Sequence, residues 1–146
     1  MKRTRILLLT TDGAGELALS LKRVMEDGGL CDFDLTEELL PDERLTNHTR
    51  NSPLAHGHPN IVVICLAQGG LMRGKAVIGV VWKHLLEVPI LVATDMDEPK
   101  KLWQLLAVGA ADFITPPFRS SDLLPRFWRL HPGAIPMSLS SRKGLA

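Results

Sequence analysis

The chain has 146 residues, the size of one compact domain, and 45% of them are hydrophobic against 23% charged, which is a globular composition with enough apolar material for a core. Lys plus Arg number 17 and Asp plus Glu 16, so the formal net charge is +1. That balance argues against a dedicated nucleic-acid binder, which needs a basic surface to neutralise phosphates, and no apolar run approaches a membrane span of roughly 18 residues.

The N-terminus, Met1-Lys2-Arg3-Thr4-Arg5-Ile6-Leu7-Leu8-Leu9, is basic and then apolar. Its apolar run is shorter than the ~7–15 residues of a signal-peptide core and no small-residue cleavage site follows, so residues 6–9 predict a first strand instead. Over 15–26 the period becomes helical, with Leu17, Leu21, Val24 and Met25 on one side. Gly28-Gly29 ends that helix. Cys31, Phe33 and Leu35 alternate with Asp32 and Asp34, the pattern of a second strand over 31–35. A short helix over 37–45, interrupted at Pro41, and a polar loop over 46–60 are expected next.

Ile61-Val62-Val63-Ile64-Cys65-Leu66 is β-branched and uncharged, the clearest strand in the chain. Helical spacing returns over 71–86 through Ala76, Val77, Val80, Val81 and Leu85, although Gly74 and Gly79 weaken it. Residues 89–93 predict a strand with Pro89 at its first position. A helix over 95–108, capped by Asp95 or Asp97, closes at Gly109. Residues 112–115 form a last short strand stopped by Pro116-Pro117. A final helix capped by Ser120 or Ser121 runs to His131, with Pro125 about one turn inside it. The expected organisation is a domain over 1–131 and a linker or frayed tail over 132–146.

Strand and helix alternate five times, which predicts an α/β fold with a doubly wound five-stranded parallel sheet. In such sheets a site forms beyond the carboxyl ends of the strands, where the strand order switches. That places Thr10, Thr11, Asp12 and Gly13, Cys65 to Gly69, Thr94-Asp95 and Thr115 to Pro117 around any site.

Pro89-Ile90-Leu91-Val92-Ala93-Thr94-Asp95 and Ala107-Val108-Gly109-Ala110-Ala111-Asp112-Phe113-Ile114-Thr115-Pro116-Pro117-Phe118 resemble the fourth and fifth strand motifs of bacterial response-regulator receiver domains. Pro59 to Leu66 resembles the third strand. The resemblance spans residues 5–131 and implies the flavodoxin-like receiver fold. Thr94 takes the position of the switch Ser/Thr and Phe113 that of the switch aromatic. The family's chemistry uses an aspartate on strand three as phosphoryl acceptor, an acidic pair after strand one for Mg²⁺, and a lysine after strand five. Here Cys65 stands for the aspartate and Pro116 for the lysine. The acidic pair falls on Thr10-Thr11, or on Asp12-Gly13 in the alternative alignment. A thiol is a soft ligand and does not replace a carboxylate for Mg²⁺.

The resemblance therefore implies a degenerate pseudo-receiver, outside phosphotransfer and not an enzyme, with no cofactor and no metal. Ser140-Ser141-Arg142-Lys143-Gly144-Leu145-Ala146 is similar to the linker that joins receivers to the ATPase domain of sigma-54-dependent transcriptional activators. The expected role is a regulatory protein-interaction module in two-component signal transduction that controls an attached transcription-regulator output domain. Receivers dimerise or dock their output domain through the fourth helix, fifth strand and fifth helix, so Trp103, Arg126, Phe127 and Trp128 form the candidate interaction face. A homodimer or an intramolecular output domain is the expected partner, with no direct nucleic-acid or membrane contact. The alternative is a small ligand in the vacated pocket.

Other features are weaker. With two cysteines, Cys31 and Cys65, there is no disulfide framework, and the reducing cytoplasm is the expected setting. Cys65 reads as a buried, inert thiol rather than a redox sensor, because no lysine makes its setting electropositive. His48, His56 and His58 have no adjoining Cys or carboxylate and read as a polar loop. Asp12-Gly13-Ala14-Gly15 lacks the Gly-x-Gly-x-x-Gly of dinucleotide sites.

Overall fold

In the computed structural model the described residues are 4–27, 33–40, 59–85 and 87–132. They form five strands and four helices: β1 (Thr4–Thr11), α1 (Gly15–Asp27), β2 (Phe33–Leu40), β3 (Ile61–Leu66), α2 (Leu71–His84), β4 (Ile90–Thr94), α3 (Pro99–Ala107), β5 (Asp112–Ile114) and α4 (Ser120–Leu130). The sheet is parallel throughout, in the order β2-β1-β3-β4-β5. The order reverses at β1, so the switch point lies between β1 and β3, where Thr10 stands opposite Cys65.

The unbroken apolar runs are explained by what covers them. Leu7, Leu9, Val62, Ile64, Leu66, Ile90 and Val92 point to one face, into a core with α2 and α3. Ile6, Leu8, Ile61, Val63, Cys65, Leu91 and Ala93 point to the other, into a core with α1 and α4. A strand covered on both faces needs no polar alternation. Gly74 lets α2 approach β3 closely: a Cβ there would lie 2.4 Å from Leu66 Cδ1 and 3.2 Å from Leu105 Cδ2. Gly109 closes α3 with φ +130°, a backbone that side chains disfavour.

Three local expectations are corrected. β2 begins at Phe33 and continues to Leu40, so residues 37–40 are strand and not helix. Pairing with β1 decides this, register by register from Thr4↔Phe33 to Thr11↔Leu40. Helix propensity in Glu37-Glu38-Leu39-Leu40 yields to a full-length ladder on an edge strand that tolerates charge. Glu37 there pairs with Lys22 of α1 at 2.9 Å. α3 starts at Pro99 with Glu98 as cap residue, not Asp95 or Asp97, because proline is pre-set for the first helical position. α4 is preceded by Arg119 as cap residue, and neither Ser120 nor Ser121 caps it. Pro125 lies within α4, and the Arg126 guanidinium Nη1 donates to the Asp122 carbonyl at 2.7 Å in the turn this proline weakens. The expected helix over 41–45, the loop over 46–58 with its three histidines, Cys31 and the tail over 133–146 lie outside the described residues.

Candidate functional site

The carboxyl ends of β1, β3 and β4 bring together Thr10, Thr11, Cys65 and Thr94, as the sheet order requires. All four are buried. The Thr11 hydroxyl donates to the Cys65 carbonyl at 2.8 Å, and Thr11's own carbonyl accepts the Ala14 amide at 3.1 Å. That second bond closes a tight turn, with Gly13 at φ +83° supplying the conformation. Asp12 lies exposed on the turn. Thr94 Oγ1 accepts the Met96 amide at 3.2 Å, and Gln68 Nε2 donates to the Asp95 carbonyl at 3.4 Å, tying the loops after β3 and β4 together.

Cys65 has 0% of its surface exposed. Burial pushes its thiol up from 9.0 to about 12, and the negative charge of Glu37 adds to the shift. It is therefore a neutral thiol inside an apolar cluster, without the electropositive, open setting that makes cysteine reactive. Phe113 is half-buried and packs against the α2–α3 core. Pro116 is exposed, and the Pro116–Pro117 bond is cis.

Mg²⁺ favours a cluster of carboxylate oxygens. At this end the two positions that close β1 are threonines, one hydroxyl is committed to the Cys65 carbonyl, Cys65 is a buried protonated thiol, and the carboxylates are those of Asp12 on the turn after β1 and Asp95 after β4, both exposed. Among the described residues no group of three or more His, Cys, Asp or Glu is placed to hold a metal ion.

The proposed interaction face divides in two. Trp103 on α3 is 66% exposed. Phe127 does not join the face: it is 1% exposed and sits in the core beneath α1 and α4, and Trp128, the next residue on the helix, is turned away from that core to a half-buried position. The Nε1 hydrogen of Trp128 is buried without an acceptor among the described residues. Arg126 is held by its own fold. Its Nε donates to the Phe113 carbonyl at 3.1 Å and stands 3.6 Å from Asp112 Oδ2, and Arg129 also pairs with that carboxylate. The Phe113 amide donates to Asp112 Oδ1 at 2.8 Å. Both main-chain groups of Phe113, on the last strand of the sheet, are thus occupied by side chains. Trp82, hidden in the sequence by the run Val80-Val81-Trp82, is 50% exposed on α2. A helical wheel of residues 71–84 is the signal that finds it.

No protein-family model matches the sequence, and no curated protein matches it. Solved structures do. A CheY-like response-regulator protein from Mesorhizobium loti is 21% identical, with a TM-score of 0.56, over 88% of this chain and 99% of that one. The five-stranded order, the two helical layers and this superposition decide the architecture. The chain has the receiver fold. A CheY-like TadZ protein from Pseudomonas aeruginosa matches at 19% identity and TM-score 0.62, over 87% of this chain and 99% of that one. The pilus assembly protein CpaE from Caulobacter crescentus matches at 14% identity and TM-score 0.64, over 88% of this chain and all of that one. The receiver fold thus occurs in proteins with different named roles, and fold alone does not choose among them. No helix among the described residues is long and apolar enough to cross a membrane.

Proposed function

We propose that this receiver-fold domain is a pseudo-receiver, outside phosphotransfer and without catalytic activity of its own, that works as a protein-interaction module in signal transduction. The observation that carries this reading is the buried, neutral Cys65 at the end of β3, where phosphotransfer needs an ionised, accessible carboxylate. The threonine pair at the end of β1 and the exposed Pro116 support it, since neither supplies metal ligation or positive charge to a phosphoryl group. With Cys65 and Thr94 fully buried, the strand ends favour a packed interior over a small-ligand pocket.

The surface carries the function instead. Self-association or docking of an attached output domain uses the exposed Trp103 on α3, with Arg129 on α4. A sigma-54-dependent transcription regulator is the output that the sequence at 140–146 suggests, and the cytoplasm is the setting of such a protein. The domain reads no DNA sequence itself. Incubation with acetyl phosphate or beryllofluoride and Mg²⁺ tests the reading. Intact mass and intrinsic fluorescence stay unchanged in the wild type and in Cys65→Asp. A mass increase of one phosphate, labile in alkali, would sink it.

A further inference from the structure

Three of the four exposed large hydrophobic side chains among the described residues, Met72, Trp82 and Trp103, lie on the adjacent helices α2 and α3. Met72 is 76% exposed and stands with Ala76, Gly79 and Lys83 at the spacing of one outward helical stripe. Trp82 flanks that stripe on the side of α3, its ring 3.4 Å from where a Cβ on Gly109 would lie. Lys75 flanks it on the same side and bonds Gln104 of α3 at 3.2 Å.

Among the described residues a Cβ on Gly79 would meet nothing within 4 Å, in contrast to Gly74 on the buried side. Glycine inside a helix is unfavourable compared with alanine, so an outward glycine of this kind suits the close approach of another backbone. The charge of the face is one-sided. Lys75 and Lys83 lie on or beside the stripe, and no carboxylate occurs between Ile61 and Leu86. A second copy docking α2 against α2 would set these cations against each other, because a two-fold interface repeats the same surface. Nucleic acid would leave Met72 and the flat, apolar centre of the stripe without a use.

We propose that the outer face of α2 is a docking surface for an acidic amphipathic helix of a partner protein. The partner helix crosses at Gly79, its apolar stripe covers Met72 and Trp82, and its carboxylates meet Lys75 and Lys83. This rests on the reading of the domain as an interaction module but not on its lack of phosphotransfer, which the mass measurement tests separately.

The test uses the full chain and two synthetic helical peptides of about 20 residues, long enough to form several turns. Both carry Leu and Phe on one face; one has Glu on the other face and the second has Lys. Tryptophan fluorescence reports binding, and Trp82→Phe shows which ring responds. The Glu peptide binds, salt weakens it, and the Lys peptide does not bind. Gly79→Leu weakens binding at least ~10-fold without lowering the melting temperature, since leucine is the better helix former. Lys83→Glu weakens the Glu peptide and admits the Lys peptide, a swap that mere loss of stability cannot produce. No binding of the Glu peptide, equal binding of both peptides, full affinity in Gly79→Leu, or displacement of the Glu peptide by a single-stranded oligonucleotide would overturn the proposal.

Discussion

The hydroxyl of Thr11 donates to the carbonyl oxygen of Cys65 at 2.8 Å, joining the ends of β1 and β3 at the switch point of the sheet. The bond ties the turn after β1 to the main chain at the end of β3, and both residues are buried. Thr11→Val keeps the shape and removes the donor, leaving a buried carbonyl short of one partner. It should cost about 1 kcal/mol in denaturant-induced unfolding. A variant as stable as wild type would show that the bond contributes nothing.

Cys65 should be inert in the folded state. In a Cys31→Ser background, its thiol will not react with an aromatic disulfide reagent at neutral pH until denaturant is added. The pH dependence follows from the shift. Folding raises the thiol from 9.0 to about 12, so the folded state holds its proton where the unfolded state has lost it. The associated stability is complete below pH 9 and is lost as pH rises toward 12, at up to about 1.4 kcal/mol per pH unit. Cys65→Ala removes this one contribution, and the difference between the two unfolding profiles over that range measures it.

The two α2 glycines should respond in opposite directions. Gly74→Ala forces a methyl group to 2.4 Å from Leu66 Cδ1, so α2 must shift off β3 or Leu66 must repack. Overpacking of this kind costs about 1–3 kcal/mol. Calorimetric melting of Gly74→Ala beside Gly79→Ala checks it, with a lower midpoint for the first and an unchanged or higher midpoint for the second.

The self-association proposed above rests on Trp103 of α3, which is 66% exposed and therefore replaceable without disturbing the core. Trp103→Glu should weaken a homodimer by at least about 1 kcal/mol, the scale of an aromatic anchor, and leave the melting curve in place. Sedimentation of both proteins over a range of concentrations decides it. A wild-type chain that stays monomeric throughout removes the homodimer and leaves an output domain as the user of this face.

The doubly wound parallel sheet was legible in the order of residues alone. Short apolar runs such as 61–66, alternating with helical periods, admit few other solutions, because a strand without polar alternation must be covered on both faces. That order also determined that Cys65, Thr94 and the threonine pair converge at one end of the sheet, since strand ends in a parallel sheet share a side. What a single run cannot encode is which of two adjacent residues turns inward. Packing of α4 on the sheet makes Phe127 core and leaves Trp128 half-buried, and it brings Arg126 to Asp112 and the Phe113 carbonyl. Residues 37–40 became strand because β1 offered them a ladder, a long-range partner invisible to local propensity. The contrast between Gly74 and Gly79 is of the same kind: the helix treats them alike, and only the presence of Leu66 beside one and solvent beside the other separates packing from surface.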